Sequence, residues 1–594
     1  MPTSALYSRA GDGSHGRDLR RAGPWLAAAL GLALYLPSLG GGWTLDDDAA
    51  LRGHPVVRGD APLVEAFTRE FWGRPLSEGW SSSYRPLVTL SFAVEQRLWP
   101  GPMLPRAVGL LCYALLCGVV VVLARRWLGP ASSLGAGALF ALMPAHADNA
   151  ASIVGRADTL GALFGVSALL MLLRATDVIA AAAGPIAAGP AATSPGATEA
   201  VVRPLRGAPW RGALWPSAAA GGLYLLALLC KESMALLPAL AAWLCALHLH
   251  RTASPRHVWL ALGVCLWPIA ATGACYLLWR QTQLPVGLPP DFVAADNLLA
   301  ALAPAPALLL RLRLVADYLD WSLVGASLCV DHTYADRVAV DILALPDALC
   351  LAVGVAAIAV AGVDGHLALR RRGPGLLVAA ALAYVVVGQW VVPLSVVAAE
   401  RLALWPSLWL ALALCGALGA LYRASDGGSA GRRRGLVVAA GVWAVSLASV
   451  AAGRGLEWRD RLALHQASAI RCPAAVHNRL NLSQEYARTG DLGRALWHLG
   501  VATAGQRAFP RPLELPAFAM EAEARAALGD DAAIPALERL PLAVGAAPAG
   551  YWRQLAAVAE RVRQPQTAAA ARSLSVSTDP DAVDPAAVRP GRAP

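Results

Sequence analysis

The chain has 594 residues, 57% of them hydrophobic and 15% charged, with a mean hydropathy of +0.49. A soluble globular protein carries roughly 25% charged residues, so that class is excluded and an integral membrane protein is predicted. The net charge of +10, from 50 Lys plus Arg against 40 Asp plus Glu, sits largely in short loops between apolar runs and reports topology rather than nucleic-acid binding.

Apolar runs able to cross about 30 Å of hydrocarbon, roughly 17–25 residues each, begin near Pro24, Ala107, Ala131, Ala157, Ala213, Met234, Val258, Asp347, Gly375, Leu402 and Gly435, eleven in all. The first, Gly23 to Gly40, follows Arg17, Arg20 and Arg21. With no small-x-small cleavage site leading into a soluble domain, it is expected to be a retained helix after a short cytoplasmic tail, residues 1–22. Arg125 and Arg126, Arg203 to Arg211, Arg251 and Arg256, Arg370 to Arg372, and Arg432 to Arg434 fall on one side. The positive-inside rule then places that side and the N-terminus in the cytoplasm.

Directly after the first run comes Trp43-Thr44-Leu45-Asp46-Asp47-Asp48. Ionisable groups at membrane depth cost several kcal/mol unless they face a wet cavity or a partner; the plain alternative is a solvated loop beyond the helix end. The external loop 42–106 is too long for a hairpin, and long ordered loops are usually functional. The cytoplasmic stretch 175–212, Ala/Gly/Pro/Thr-rich between Ala180 and Ala200, is expected to be a linker. A second external region, 281–345, contains Leu308 to Leu328. That segment carries Arg311, Arg313, Asp317 and Asp320 and is expected to lie on the surface or re-enter, because a full span would invert every later loop.

The membrane domain is expected to cover 23–453, a helical external region 454–577 and an unstructured tail 578–594. Over Ala475 to Ala508, Leu482, Tyr486, Gly490, Ala495, Leu499 and Ala502 fit a tetratricopeptide template, with Arg479 at its first Trp position, and a weaker echo follows at Glu523 to Leu540. The ten cysteines lie mostly in apolar runs without CxxC spacing. They are expected to be buried small hydrophobes, neither a metal site nor a disulfide frame.

Charge recurs at the external helix ends: His146-Ala147-Asp148-Asn149, Gly155-Arg156-Ala157-Asp158, Lys231-Glu232 and Glu400-Arg401. One acid–base pair is accounted for by a self-neutralising helix end; several on one side point to a shared polar cavity. Lys231 is the only lysine among the 50 basic residues, which suits a place needing a compact ammonium rather than a planar fork.

Tyr84-Arg85-Pro86-Leu87 with Ser91-Phe92, His146 with Ile153 to Asp158, Lys231-Glu232, Asp296-Asn297, Glu400-Arg401 with Pro406-Ser407, and Glu457-Trp458-Arg459 form an ordered series. From about Leu34 to Ala502 it resembles the transmembrane and tetratricopeptide-repeat (TMTC) O-mannosyltransferases. That family is similar to the wider GT-C glycosyltransferases. The resemblance implies an all-α polytopic core, an inverting transfer from a polyprenyl-phosphate sugar with mannose favoured, a hydroxyl acceptor such as protein Ser or Thr, and repeats that present it. The family's paired acids map onto Asp46 and Asp47, and Asp48 falls outside. Met143-Pro144 stands where the family has His-Pro, and Asp148 where it has Glu. The scarcity of lysine and abundance of alanine and arginine fit a bacterial relative, with the C-terminal region periplasmic.

Asp46 or Asp47 is then the expected base. Arg85, Arg156, Lys231 and Arg401 are the candidates to neutralise the phosphate, and His146, Asp148, Asp158, Glu232 and Glu400 to orient them or the sugar. No cofactor is predicted. Mg or Mn held by Asp46 to Asp48 with Asp158 is chemically open, and a metal-free site is favoured. A transporter, which needs midplane charge and inverted repeats, and a repeat scaffold on an inert anchor are the rival readings.

Overall fold

The computed structural model describes residues 14–78, 83–183, 209–252, 255–284, 297, 299, 302–332, 340–425 except 372, 392 and 395, and 430–507. It is an all-helical, polytopic membrane protein. The main helices are α1 (Ser14–Tyr35), α2 (Pro86–Leu98), α3 (Met103–Ala124), α4 (Pro130–Leu142), α5 (Arg156–Ala183), α6 (Pro209–Cys230), α7 (Leu237–Thr252) and α8 (Pro255–Gln283). They continue with α9 (Pro304–Leu323), α10 (Leu345–Leu369), α11 (Leu376–Val387), α12 (Leu404–Ala424) and α13 (Ala430–Glu457), then α14 (Arg461–Arg471), α15 (Val476–Arg488) and α16 (Leu492–Arg507).

Nine helical segments among the described residues are long and apolar enough to cross a membrane; the other two expected spans are the shorter α4 and α11, of 13 and 12 residues. Thirteen residues rise about 20 Å, well short of a bilayer core. Both short helices run into non-helical chain that carries polar residues. Pro144 disfavours helix at Met143, and the chain continues as a buried 3-10 turn, Pro144–His146, and one helical turn, Ala147–Ala151. After α11, Gln389 adopts a positive φ of 57°. Its side chain ties the following loop together by donating to the carbonyls of Val396 and Val397 at 2.9 and 2.8 Å and accepting from the Leu394 amide at 3.1 Å. Irregular backbone inside a bundle persists only where protein groups satisfy it in this way.

Small residues bring the first helices close. A Cβ on Gly118 of α3 would meet the Pro24 carbonyl of α1 at 2.9 Å, and one on Gly137 of α4 would meet the Cys117 carbonyl at 3.0 Å. Such contacts let helices pack without a hydrophobic drive between them. Tyr35, fully buried at the end of α1, meets Tyr113 edge-on with centroids 5.6 Å apart.

Two sequence expectations need correction. Helix overlaps the expected linker 175–212 at both ends: α5 runs to Ala183 and α6 starts at Pro209, because the alanines at 180–183 are strong helix formers; residues 184–208 lie outside the described residues. The cysteines are not all inert hydrophobes: Cys329, after α9, and Cys472, after α14, form a disulfide, both lying outside the apolar runs on which that expectation rested.

Helix α9 buries Leu310, Leu314, Tyr318 and Trp321 against Val387, Val397 and Ala403, and its charged residues are tied to neighbouring groups. Arg313 meets Asp347 at 2.8 Å, Arg311 Nε donates to the Gln389 carbonyl at 3.1 Å, and Asp320 accepts from Ser327 Oγ at 2.8 Å. α15 and α16 form a hairpin through Gly490, whose φ of 82° favours glycine; Leu482, Tyr486, Ala495 and Ala502 are buried in it. The echo at Glu523 to Leu540 lies outside the described residues.

Candidate active site

Three main-chain anchors fix the loop after α1. Gly42 N donates to the Arg459 carbonyl at 2.9 Å, Arg106 of α3 donates to the Gly42 carbonyl at 2.5 Å and to the Ala151 carbonyl, and Arg461 Nε donates to the Trp43 carbonyl at 2.9 Å. Two residues beyond them Leu45 takes a φ of 39°, a region that non-glycine residues rarely enter and that surrounding contacts must hold.

This turn gives the three aspartates different environments. Asp47 is buried and accepts from the Thr44 amide at 2.7 Å and Thr44 Oγ1 at 3.2 Å; burial pushes its carboxyl up to about 7. Asp48 pairs with Arg52 at 2.8 Å and with Arg461. Its carboxyl lies below the usual range because those hydrogen-bonded guanidiniums outweigh partial burial. Asp46 keeps 37% of its side chain exposed and stands 3.6 Å from Arg401 Nη1. Of the two expected bases, Asp46 is therefore the open carboxylate and Asp47 the one that shapes the turn.

Arg401 also lies 4.0 Å from Asp148, which is buried and pushed up to about 6 by desolvation. Asn149 Nδ2 donates to the Arg401 carbonyl at 3.1 Å, joining the chain after α4 to the chain after α11. Asp158 and Arg401 line one small cavity with Ser233 and Trp405. On its far side Lys231 Nζ meets Asp158 at 2.8 Å, both side chains only 7% exposed. Gly161 makes this possible, since a Cβ there would stand 2.9 Å from Lys231 Cβ. Glu232 accepts from the Tyr84 amide at 2.9 Å and lies 3.3 Å from Arg85 Nε, and Arg85 stacks over Phe71 at 4.6 Å.

A continuous strip thus runs from Asp46 through Arg401, Asp148 and Asp158 to Lys231, Glu232 and Arg85. Three cations face four carboxylates, so an anion entering the strip must take Lys231 or Arg401 from a carboxylate.

Three of the expected residues have other roles here. Arg156 is fully buried. It donates to Glu95 at 2.5 Å, Ser91 at 2.9 Å and the Pro105 carbonyl, and lies over Phe92, so it fastens α5 to α2 and cannot meet a phosphate without leaving those partners. His146 is enclosed by Tyr113, the Phe140 carbonyl and Ser407, at 3.1, 2.8 and 2.8 Å. Burial pushes the ring down to about 3, so it is a neutral strut between α3, α4 and α12. Glu400 bonds Arg454 at 3.3 Å, with His332 at 3.8 Å behind it. The carboxylates considered for Mg or Mn do not gather: Asp47 turns to Thr44, Asp48 to Arg52 and Arg461, and Asp158 to Lys231.

Arg106, Arg454, Arg461, Glu95 and His332 escaped sequence reasoning. Arg106 and Arg454 each sit at the site end of an apolar helix, the same signal that marked the residues that were found.

Two comparisons find no counterpart: no protein-family model matches the chain, and no solved structure matches it. Curated proteins do. The chain is 32% identical over 160 residues to "Protein O-mannosyl-transferase F38B6.6" of Caenorhabditis elegans, 25% of this chain and 23% of the relative. It is 38% identical over 134 residues to the Drosophila melanogaster "Protein O-mannosyl-transferase Tmtc2", 22% and 14% of the two chains. It is 34% identical over 152 residues to the human "Protein O-mannosyl-transferase TMTC2", 25% and 18%. The chain thus spans between 14% and 23% of the length of these relatives.

Proposed function

We propose that the chain is a membrane glycosyltransferase that moves a sugar, mannose as the leading candidate, from a polyprenyl-phosphate donor to a protein hydroxyl on the extracytoplasmic side. The observation that carries this reading is the strip itself: an open carboxylate at one end, then cations held by buried acids. The local likeness to proteins named O-mannosyl-transferases supports the same class. The Cys329–Cys472 disulfide suits an oxidising compartment.

Asp46 takes the proton of the acceptor hydroxyl as its oxygen bonds to the anomeric carbon. The bond from that carbon to the phosphate oxygen breaks on the opposite face, and the lipid phosphate leaves with the electron pair. Lys231, already desolvated, and Arg401, like it held by carboxylates, meet the phosphate at little reorganisation cost. Asp47 and Arg106 hold the turn, and Asp48 with Arg461 couples it to α14. A multi-span anchor with no chemistry of its own would not need buried ions at four helix ends, each costing several kcal/mol to desolvate.

Purified protein supplied with a panel of polyprenyl-phosphate sugars and a Ser/Thr peptide should release lipid phosphate, fastest with mannose. Transfer from nucleotide sugars alone would overturn the reading.

A further inference from the structure

Outside the strip, two cysteines and a histidine meet where the chain after α9 packs on α14. Cys329-Val330-Asp331-His332 puts a sulfur and an imidazole three residues apart, and Cys472 joins them from 140 residues beyond His332. One donor atom from each lies within 4.8 Å of the other two. His332 Nδ1 stands 3.3 Å from Cys329 Sγ and 3.9 Å from Cys472 Sγ. All three residues are buried. Burying an imidazole costs free energy unless its nitrogens find partners, a disulfide alone needs no imidazole against its sulfurs, and no step of the transfer uses His332.

The imidazole is held in place. Its ring stacks on Trp321 with centroids 4.2 Å apart and planes 21° from parallel, while Trp321 Nε1 donates to Ser327 Oγ at 3.0 Å. Its other nitrogen, Nε2, faces Glu400 Oε1 at 3.8 Å. A metal-binding histidine characteristically turns its second nitrogen to a carboxylate, which fixes the ring and raises its basicity. The ligands also stay together without the bond between the sulfurs. Val330 N donates to Ser468 Oγ at 3.1 Å, Arg471 Nη1 to the Leu328 carbonyl at 3.1 Å and Asn478 Nδ2 to the Asp331 carbonyl at 3.0 Å, with His477 Nδ1 2.9 Å from Asp331 Oδ2. The cysteine Cα atoms stand 6.3 Å apart, a span that admits a disulfide or, with the side chains turned, two thiolates about 3.8 Å apart on one tetrahedral ion.

We propose that Cys329, His332 and Cys472 form a redox-gated zinc site, closed as the disulfide and holding one Zn²⁺ when that bond is reduced. A dithiol reductant supplies two electrons and two protons to the sulfurs and leaves as its own disulfide. Zn²⁺ then displaces the two thiol protons to solvent, and the two thiolates and His332 Nδ1 bind it, with a water in the fourth position. Two soft sulfurs and an imidazole nitrogen select Zn²⁺ over Mg²⁺ or Ca²⁺, which take oxygen ligands. Neither donor nor acceptor enters: bound metal replaces one tie between the chain after α9 and α14 by another, so zinc binding stands or falls apart from transfer.

The full chain in nanodiscs, reduced with a phosphine and desalted without oxygen, is offered Zn²⁺ or Co²⁺ alone. The reduced protein should retain about one Zn²⁺ per chain, and the disulfide form only background. Co²⁺ should give the sulfur-to-metal charge-transfer and visible bands of a tetrahedral thiolate site. Zn²⁺ should also slow hydrogen exchange of residues 326–332 and 468–478 in the reduced chain, a reading on the unsubstituted protein that needs no variant to fold. His332→Gln should weaken Zn²⁺ binding at least about tenfold, and Cys472→Ser should abolish it. Cys275→Ser, at an exposed cysteine of α8, should leave it unchanged. A reduced protein that retains no Zn²⁺, equal retention by the disulfide form, exchange slowed only elsewhere, or a His332→Gln protein that binds as tightly as the unsubstituted one overturns the site.

Discussion

The two ends of the helix bundle solve the same problem differently. Away from the site, Arg126 grips Asp177 with both nitrogens at 2.7 Å and His248 adds a third contact at 2.9 Å, yet these groups are 28%, 41% and 29% exposed. At the site end, Lys231–Asp158, Arg156–Glu95 and Arg454–Glu400 have their charges 8% exposed or less. Exposed pairs gain little and cost little, with a median near 0–1 kcal/mol. Buried ones carry a desolvation penalty that their attraction often fails to offset. Keeping so many at one end is costly even where, as at Arg156, a pair fastens two helices, and that cost supports the proposal that places chemistry there.

The comparison breaks most sharply at Lys231. Lys231→Met should lower kcat by about 10²–10³ if the ammonium stabilises the leaving phosphate, and should destabilise the protein by about 3–5 kcal/mol because Asp158 stays buried without its partner. Adding Asp158→Asn should return thermal stability but not transfer; recovery of both would make the pair purely structural. Next in size is the covalent tie. Cys329 and Cys472 are 143 residues apart, and Cys472→Ser should cost about 2–4 kcal/mol. It should also raise hydrogen exchange in α14, from which Arg461 holds Trp43 and Asp48; unchanged exchange there would uncouple the C-terminal helices from the loop.

A smaller effect depends on pH. Burial raises the Asp47 carboxyl from its ordinary value near 4 to about 7, so the folded state holds a proton that the unfolded state releases. The loop is then most stable below about pH 4, loses stability as pH rises to about 7, and stays level above that. Hydrogen exchange of residues 42–52 should follow this course, and Asp47→Asn should flatten it; a loop that tightens with rising pH would contradict the assignment. Smallest of all, Arg126→Ala at the opposite end should shift stability by no more than about 1 kcal/mol and leave transfer unchanged.

Much of this was legible in the chain. Charge at the ends of apolar runs pointed to Asp46, Asp158, Lys231, Glu232 and Arg401, because apolar periodicity shows where a helix end must lie. The same signal also picked out Arg156 and His146 but did not show the partners that enclose them. Arg156 has its partner Glu95 61 residues away, and His146 meets Ser407 261 residues away; spacing along a sequence carries no record of such pairings. The disulfide was illegible for the same reason. The shortness of α4 and α11 was likewise hidden, since apolar composition continues into the irregular chain that bears Asp148 and Glu400.

The central claim is that Asp46 is the base and Asp47 the scaffold of its turn. Single-turnover transfer by Asp46→Asn and Asp47→Asn, with matched folding and donor binding, tests it most directly. The account predicts a loss of about 10³-fold or more for Asp46→Asn and within about tenfold of full activity for Asp47→Asn. Near-normal transfer by Asp46→Asn, or the reverse ranking of the two, would contradict it.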